Sequence, residues 1–302
     1  MTDQIGLALS GGGVRSASQL GIVQSLHEVG VKPTIFAGTS GGSIVAALLA
    51  MGYSPDKALQ EYERSSNVLD IAYLHILKGI VTKSSIDGIY KGDRLEKALS
   101  KAFCSIPLGY FLTNQLGIVS TDISTGRQII FTSDPEIDMK KINDDNVKHL
   151  CSPDIDLSFA VAASCSLPGV FLPKEMESEG LKLADGGLTN NLPSDVARAL
   201  GADKVISIDL GYAGMTKATT GIYSILKTSM EIMMERVVDI NKDEYGIYLN
   251  PQIFDVTVLE FDRADECFAR GYAYGKKVAP AISAYIEGDA RWETLKTVLS
   301  VY

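Results

Sequence analysis

Ile35-Phe36-Ala37-Gly38-Thr39-Ser40-Gly41-Gly42-Ser43-Ile44 is an apolar run that empties into Gly-x-Ser-x-Gly and continues into small apolar residues. That order predicts a strand, a very tight turn and a helix. Gly38 and Gly42 stand where a Cβ would clash with the crowded backbone of the central residue. Ser40 is left with its hydroxyl above the sheet edge, beside the partial positive charge of the following helix N-terminus. Ser40 is therefore a candidate nucleophile. The five-residue pattern also describes a glycine-rich connection with an incidental serine, so the remaining parts of a site must come from elsewhere in the chain.

The preceding segment supplies one of them. Ile5 to Leu9 reads as a short buried strand that ends in Ser10-Gly11-Gly12-Gly13-Val14-Arg15-Ser16, followed by a helix from about Ser16 to Val29 with Gly30 as its stop. Strand, triple glycine and helix make an anion-binding arrangement, because successive backbone N–H groups converge on one point near a helix N-terminus. A dinucleotide fingerprint lacks its last glycine here, since Ser16 occupies that place. A Walker loop lacks its lysine. An oxyanion hole is the third reading and needs a nucleophile on a neighbouring strand; Ser40 ends the next one.

A serine needs a base, and histidine is the usual one. The chain has three, His27, His75 and His149, and none in its second half. An α/β-hydrolase places its histidine after the nucleophile and acid, late in the chain, so that triad is not expected; His149 with an upstream acid stays open. The alternative is a carboxylate acting directly on the serine. Asp185 ends the predicted strand Leu181 to Ala184 and precedes Gly186-Gly187, which lets it approach another loop closely, and desolvation raises the basicity of such a carboxylate. Asp122 is a second carboxylate to weigh, and a turn aspartate bonding its own backbone is the expected reading there.

The remaining pattern is α/β. Leu157 to Ser164 and about Asp265 to Glu287 read as helices. Leu116 to Ser120, Gln128 to Phe131, Lys204 to Asp209 and a stretch near Ile253 to Val258 read as strands. Alternation of strands with helices predicts a mainly parallel sheet covered on both faces. Met230, Met233 and Met234 fit core packing, or a lipid-adaptable surface. With 302 residues, 46% of them hydrophobic, the chain can hold a sizeable core. A net charge of −9 argues against nucleic-acid binding. The uncharged runs at Thr34 to Pro55 and Leu157 to Pro173 are too interrupted to span a membrane. The scattered cysteines and the acidic, lysine-free N-terminus predict a cytoplasmic protein without a secretory signal.

Taken together, Gly11-Gly12-Gly13-Val14-Arg15, Gly38-Thr39-Ser40-Gly41-Gly42 and Asp185-Gly186-Gly187 resemble the motifs of the patatin-like phospholipases, in that family's order. Ala163-Ser164 with Pro168 and Phe171, and Thr121-Asp122 with Thr125-Gly126, add weaker likeness. The resemblance covers about residues 5 to 209 and implies a three-layer α/β/α fold. One catalytic domain over 1–302 is expected, with a mostly helical part over 210–302 that carries no matched motif. It implies Ser40 and Asp185 as a catalytic dyad, and Gly11, Gly12, Gly13 and Arg15 as the oxyanion site. It further implies phospholipid or other acyl-lipid substrates, peripheral contact with a membrane, and no metal or cofactor. Acyl transfer by the same dyad, and a non-catalytic anion- or nucleotide-binding module, are the alternative readings.

Overall fold

The computed structural model describes residues 3–65, 93–108, 113–211, 222–240, 246–292 and 294. The strand β1 (Ile5–Leu9) leads through a 3₁₀ turn at Gly13–Ser16 into α1 (Ala17–Glu28), and β2 (Ile35–Thr39) leads directly into α2 (Gly41–Ala50). A helical stretch over 55–65 (α3) and α4 (Asp93–Ala102) precede the hairpin of β3 (Gln115–Asp122) and β4 (Arg127–Thr132). Then come β5 (Val147–Leu150), α5 (Leu157–Ser164), β6 (Lys174–Met176), β7 (Leu181–Asp185), α6 (Ser194–Ala199) and β8 (Lys204–Ile208). The chain continues with α7 (Ile222–Ile240), β9 (Ile247–Leu249) and α8 (Ala264–Glu287).

These strands form one sheet in the order β5-β4-β3-β2-β1-β8-β9, with β7 added to β3 and β6 to β7. The pairings among β3, β2, β1, β8 and β9 are parallel, whereas β4 and β7 run antiparallel to β3. Side chains alternate between the faces, as period-two geometry requires. Leu7, Leu9 and Phe36 enter a core shared with α1, α2, α5 and α8, while Ala8, Ile35 and Ala37 enter a second core with Val196 and Ala197 of α6. Full burial of each leucine or phenylalanine contributes roughly 1.5–3 kcal/mol. Helices thus cover both faces, and the protein is a three-layer α/β/α fold with a mostly parallel central sheet.

Several expectations are corrected. Residues 253–258 form turns rather than a strand, and the strand beside β8 is β9. Ile253 and Val256 are buried individually, and the Val258 carbonyl is engaged by the Val14 N–H at 3.0 Å instead of by a ladder. The short strands β5 and β6 had no alternating signal, since they carry lysine, histidine and glutamate at the margin of the sheet. The methionines of α7 do not share one environment: Met233 is 70% exposed, with Ile225 and Ile232 also open to solvent, whereas Met230 and Met234 are half-buried. Among the described residues, no helix is long and apolar enough to cross a membrane.

Candidate active site

β3 brings the two ends of the site together. One of its edges is occupied by β4 from Gly117 to Asp122. Along its other edge β2 pairs in parallel as far as Thr39 opposite Val119, and β7 pairs antiparallel from Asp185 opposite Ser120. The two strands therefore meet end to end on consecutive residues of β3. Ser40 follows the last residue of one, and Asp185 is the last residue of the other.

Ser40 has φ 51° and ψ −127°, a backbone conformation costly for any residue with a Cβ. The neighbouring glycines make it attainable. A Cβ on Gly38 would lie 2.4 Å from the Gly42 carbonyl oxygen, and one on Gly42 would lie 2.4 Å from that of Leu9. The turn is tied from both sides. Ser43 donates to the Ser40 carbonyl through its N–H (2.8 Å) and its hydroxyl (2.6 Å). The Ser40 N–H donates to Ser164 Oγ at 2.9 Å.

Asp185 is fully buried. Its Oδ1 accepts the Gly187 N–H at 2.9 Å, whereas Oδ2 has no hydrogen-bond partner of good geometry among the described residues. Desolvation by burial pushes its pKa up to about 6, opposed by the Gly187 N–H and by the neighbouring Ser40 side chain. A carboxyl in that range is mostly ionised at neutral pH, yet basic enough to share a proton with a hydroxyl. The loop Asp185-Gly186-Gly187 sits against the strand junction, where a Cβ on Gly186 would fall 2.2 Å from the Val119 carbonyl oxygen.

The glycine loop lies against Ser40, for a Cβ on Gly11 would be 3.0 Å from that of Ser40. Two of the sequence-based candidates in this loop make hydrogen bonds within the protein. The Gly11 N–H already donates to the carbonyl and Oδ1 of Asn191, at 3.3 and 3.2 Å. Arg15 is buried, and its guanidinium donates to the carbonyls of Gly12 (3.4 Å), Leu210 (3.2 Å) and Gly211 (3.0 Å). It braces the loop against the chain leaving β8. Burial pulls the Arg15 pKa down, while Glu231 and Asp209 pull it back up. The N–H groups of Gly12, Gly13 and Gly41 have no acceptor among the described residues, and a Cβ on Gly41 would lie 3.1 Å from the Gly13 nitrogen. Gly41 was not singled out from sequence. Its signal was its place as first residue of α2, where an N–H lacks an intrahelical acceptor.

These groups open onto a cleft with about 880 Å³ of empty space, counting the part open to solvent. Ile44, Leu167, Val170, Phe171 and Phe261 give it apolar walls, and Met234, Glu231 and Glu235 come from the inner side of α7. The other candidates lie elsewhere. Asp122 closes the β3–β4 turn, accepting from the Ser124 N–H (3.2 Å), the Thr125 hydroxyl (2.5 Å) and the Lys182 N–H (3.2 Å). Those bonds outweigh burial and hold its pKa low. His149 sits on β5, three strand positions and about 14 Å from β2, sharing a 2.6 Å hydrogen bond with Thr132 Oγ1. His27 is near the end of α1 remote from the loop. His75 lies outside the described residues.

The family model described as patatin-like phospholipase matches residues 7–198. Patatin-like phospholipase domain-containing protein 7 of Mus musculus is 29% identical over 310 residues, covering 91% of this chain and 20% of that protein. An uncharacterized NTE family protein of Mycobacterium tuberculosis is 31% identical over 214 residues, covering 68% of this chain and 30% of its own length. The chain thus spans about a fifth of the length of the mouse relative. Among solved structures, VipD from Legionella pneumophila aligns with 16% identity and a TM-score of 0.46, over 100% of this chain and 80% of its own.

Proposed function

The chain belongs to the patatin-like phospholipase family, and from that premise we propose that it is a lipid acyl hydrolase working through a Ser40–Asp185 dyad. The observation that carries the reading is the unpartnered, buried Asp185 Oδ2 beside Ser40, in a cleft with apolar walls. Ser40 Oγ attacks the ester carbonyl as Asp185 takes its proton. The oxyanion is held by the N–H groups of Gly12, Gly13 and Gly41 together with the N-terminus of α2, each donor being worth about 10²–10³ in rate in comparable sites. Collapse of the tetrahedral intermediate expels the alcohol, which receives the proton from Asp185. Water then attacks the acyl-enzyme with Asp185 as base, and the carboxylic acid leaves.

The substrate class follows from the walls. An acyl chain fits against Leu167, Val170 and Phe171, whereas Glu231, Glu235 and Asp185 on the same cleft disfavour a nucleotide or free phosphate at the glycine loop. Contact with a lipid surface is part of the reading. One side of α7 faces the cleft, and the other shows Ile225, Ile232 and Met233 to solvent, so a lipid approaching the cleft meets apolar side chains first. Labelling with a fluorophosphonate and peptide mapping tests the chemistry. Ser40 is expected to carry the label, with lipid ester turnover lost in Ser40→Ala and Asp185→Asn. Labelling elsewhere, or turnover retained in a clean Ser40→Ala preparation, rejects the mechanism. Product analysis with and without an added alcohol separates hydrolysis from acyl transfer.

A further inference from the structure

Ser164 is the last residue of α5, fully buried and remote from Ser40 in sequence, yet its hydroxyl is hydrogen-bonded on both sides at the strand junction. Its oxygen accepts the Ser40 N–H at 2.9 Å, and its hydrogen goes to the Val119 carbonyl at 2.5 Å. Both partners are groups that the junction strands. At φ 51° the Ser40 N–H has left the β2 ladder and would otherwise be a buried donor without an acceptor, which costs free energy comparable to a lost hydrogen bond. The Val119 carbonyl stands at the point on β3 where β2 stops, pressed against the Cα of Gly186 next to Asp185. One hydroxyl therefore ties the backbone of the nucleophile to the β3 residue that abuts the acid's loop.

We infer that Ser164 is a positioning residue: it holds the Ser40 backbone in its positive-φ conformation and so sets the hydroxyl's position relative to Asp185. The inference rests on the Ser40–Asp185 reading above. Only a side chain that accepts and donates from the same atom, at the reach of one methylene, can make this joint. Alanine removes both bonds, and threonine keeps both. A misplacement of the nucleophile on the ångström scale is enough to cost about 10² in the chemical step, and substrate binding in the cleft is left alone, because Ser164 is not among the residues lining it.

A control for the loss of a buried hydroxyl lies two residues on. Ser166 is also buried, and its hydroxyl donates to the Ala162 carbonyl at 2.9 Å without touching Ser40. Ser164→Ala, Ser164→Thr and Ser166→Ala are compared for turnover of a p-nitrophenyl ester and for the rate of fluorophosphonate labelling, at a temperature where circular dichroism finds each folded. Ser164→Ala is expected to lose tenfold or more in kcat and in labelling rate at an unchanged KM. Ser164→Thr should restore most of that loss, and Ser166→Ala should keep wild-type kcat whatever stability it gives up. Equal kcat in the two alanine variants, or a Ser164→Ala effect confined to KM or to stability, overturns the positioning role while leaving the dyad intact. Failure of the wild-type chain to take the label at Ser40 overturns the dyad itself, and this inference with it.

Discussion

The burial that suits Asp185 to the proposed role of base also makes it a liability for folding, and the two effects separate with pH. Its pKa rises from the ordinary aspartate value of 3.8 to about 6 in the folded chain, which at about 1.4 kcal/mol per pH unit corresponds to roughly 3 kcal/mol. The folded chain holds this proton at pH values where the unfolded chain has already released it. Asp185 therefore stabilises the fold most below about pH 4, and that contribution is lost as pH rises through about 6. Turnover runs the other way, because the proton-accepting carboxylate becomes populated over the same range. Urea unfolding of the wild type and of Asp185→Asn, measured from pH 4 to 7.5, isolates the effect, since every other titrating group is common to both. The stability of the asparagine variant relative to wild type should increase by about 2–3 kcal/mol across that range, while wild-type kcat rises with a midpoint near 6. Unfolding curves that stay a constant distance apart would refute the idea that a desolvated Asp185 is the base.

Three further outcomes follow from the geometry. Ser40→Gly and Ser40→Ala should both be inactive, but glycine should be the more stable by about 1–2 kcal/mol in denaturant melts, because only it adopts φ 51° without a Cβ penalty; the reverse order contradicts the strain. Asp122→Ala should keep its turnover and lose about 1–3 kcal/mol, as the Ser124 and Lys182 N–H groups and the Thr125 hydroxyl lose their acceptor; an inactive, fully stable variant would return Asp122 to the catalytic machinery. Gly42→Ala places a Cβ 2.4 and 2.5 Å from the Leu9 and Ser10 carbonyl oxygens, so its unfolding midpoint should fall by the equivalent of about 3 kcal/mol or its cooperative transition disappear.

The legible features were those written in neighbouring residues. The Gly38-Thr39-Ser40-Gly41-Gly42 turn is local, so its glycines announced the tight contact that the structure contains. Leu157–Ser164 emerged as a helix with the expected bounds, because eight apolar and small residues lie between a polar start and a proline-bearing loop. Asp185 was reached by elimination of histidines together with its place at a strand end. What stayed hidden was direction. Whether the Gly11 N–H faces a substrate or Asn191, and whether Arg15 faces the cleft or the carbonyls after β8, is decided by partners 180 and 195 residues away. The double bond made by Ser164 is of the same kind. The Met233 surface escaped because an amphipathic pattern reveals that a helix has two sides, not which one points inward.

Ser40 and Asp185 are 145 residues apart in the chain, but Thr39, just before Ser40, and Asp185 occupy consecutive rungs of a strand that contributes neither of them. Their separation is therefore insulated from the length of every connection between them. The exposed hairpin tip at Thr125-Gly126 is a place where an extra segment can be grafted with the proposed chemistry unchanged. The reverse holds for β3. One residue inserted between Val119 and Ser120 would move the Asp185 rung away from the Thr39 rung, parting the two halves of the proposed dyad, and turn every later side chain of the strand to the other face. In this architecture the part least free to change in length is a strand with no reacting atom on it.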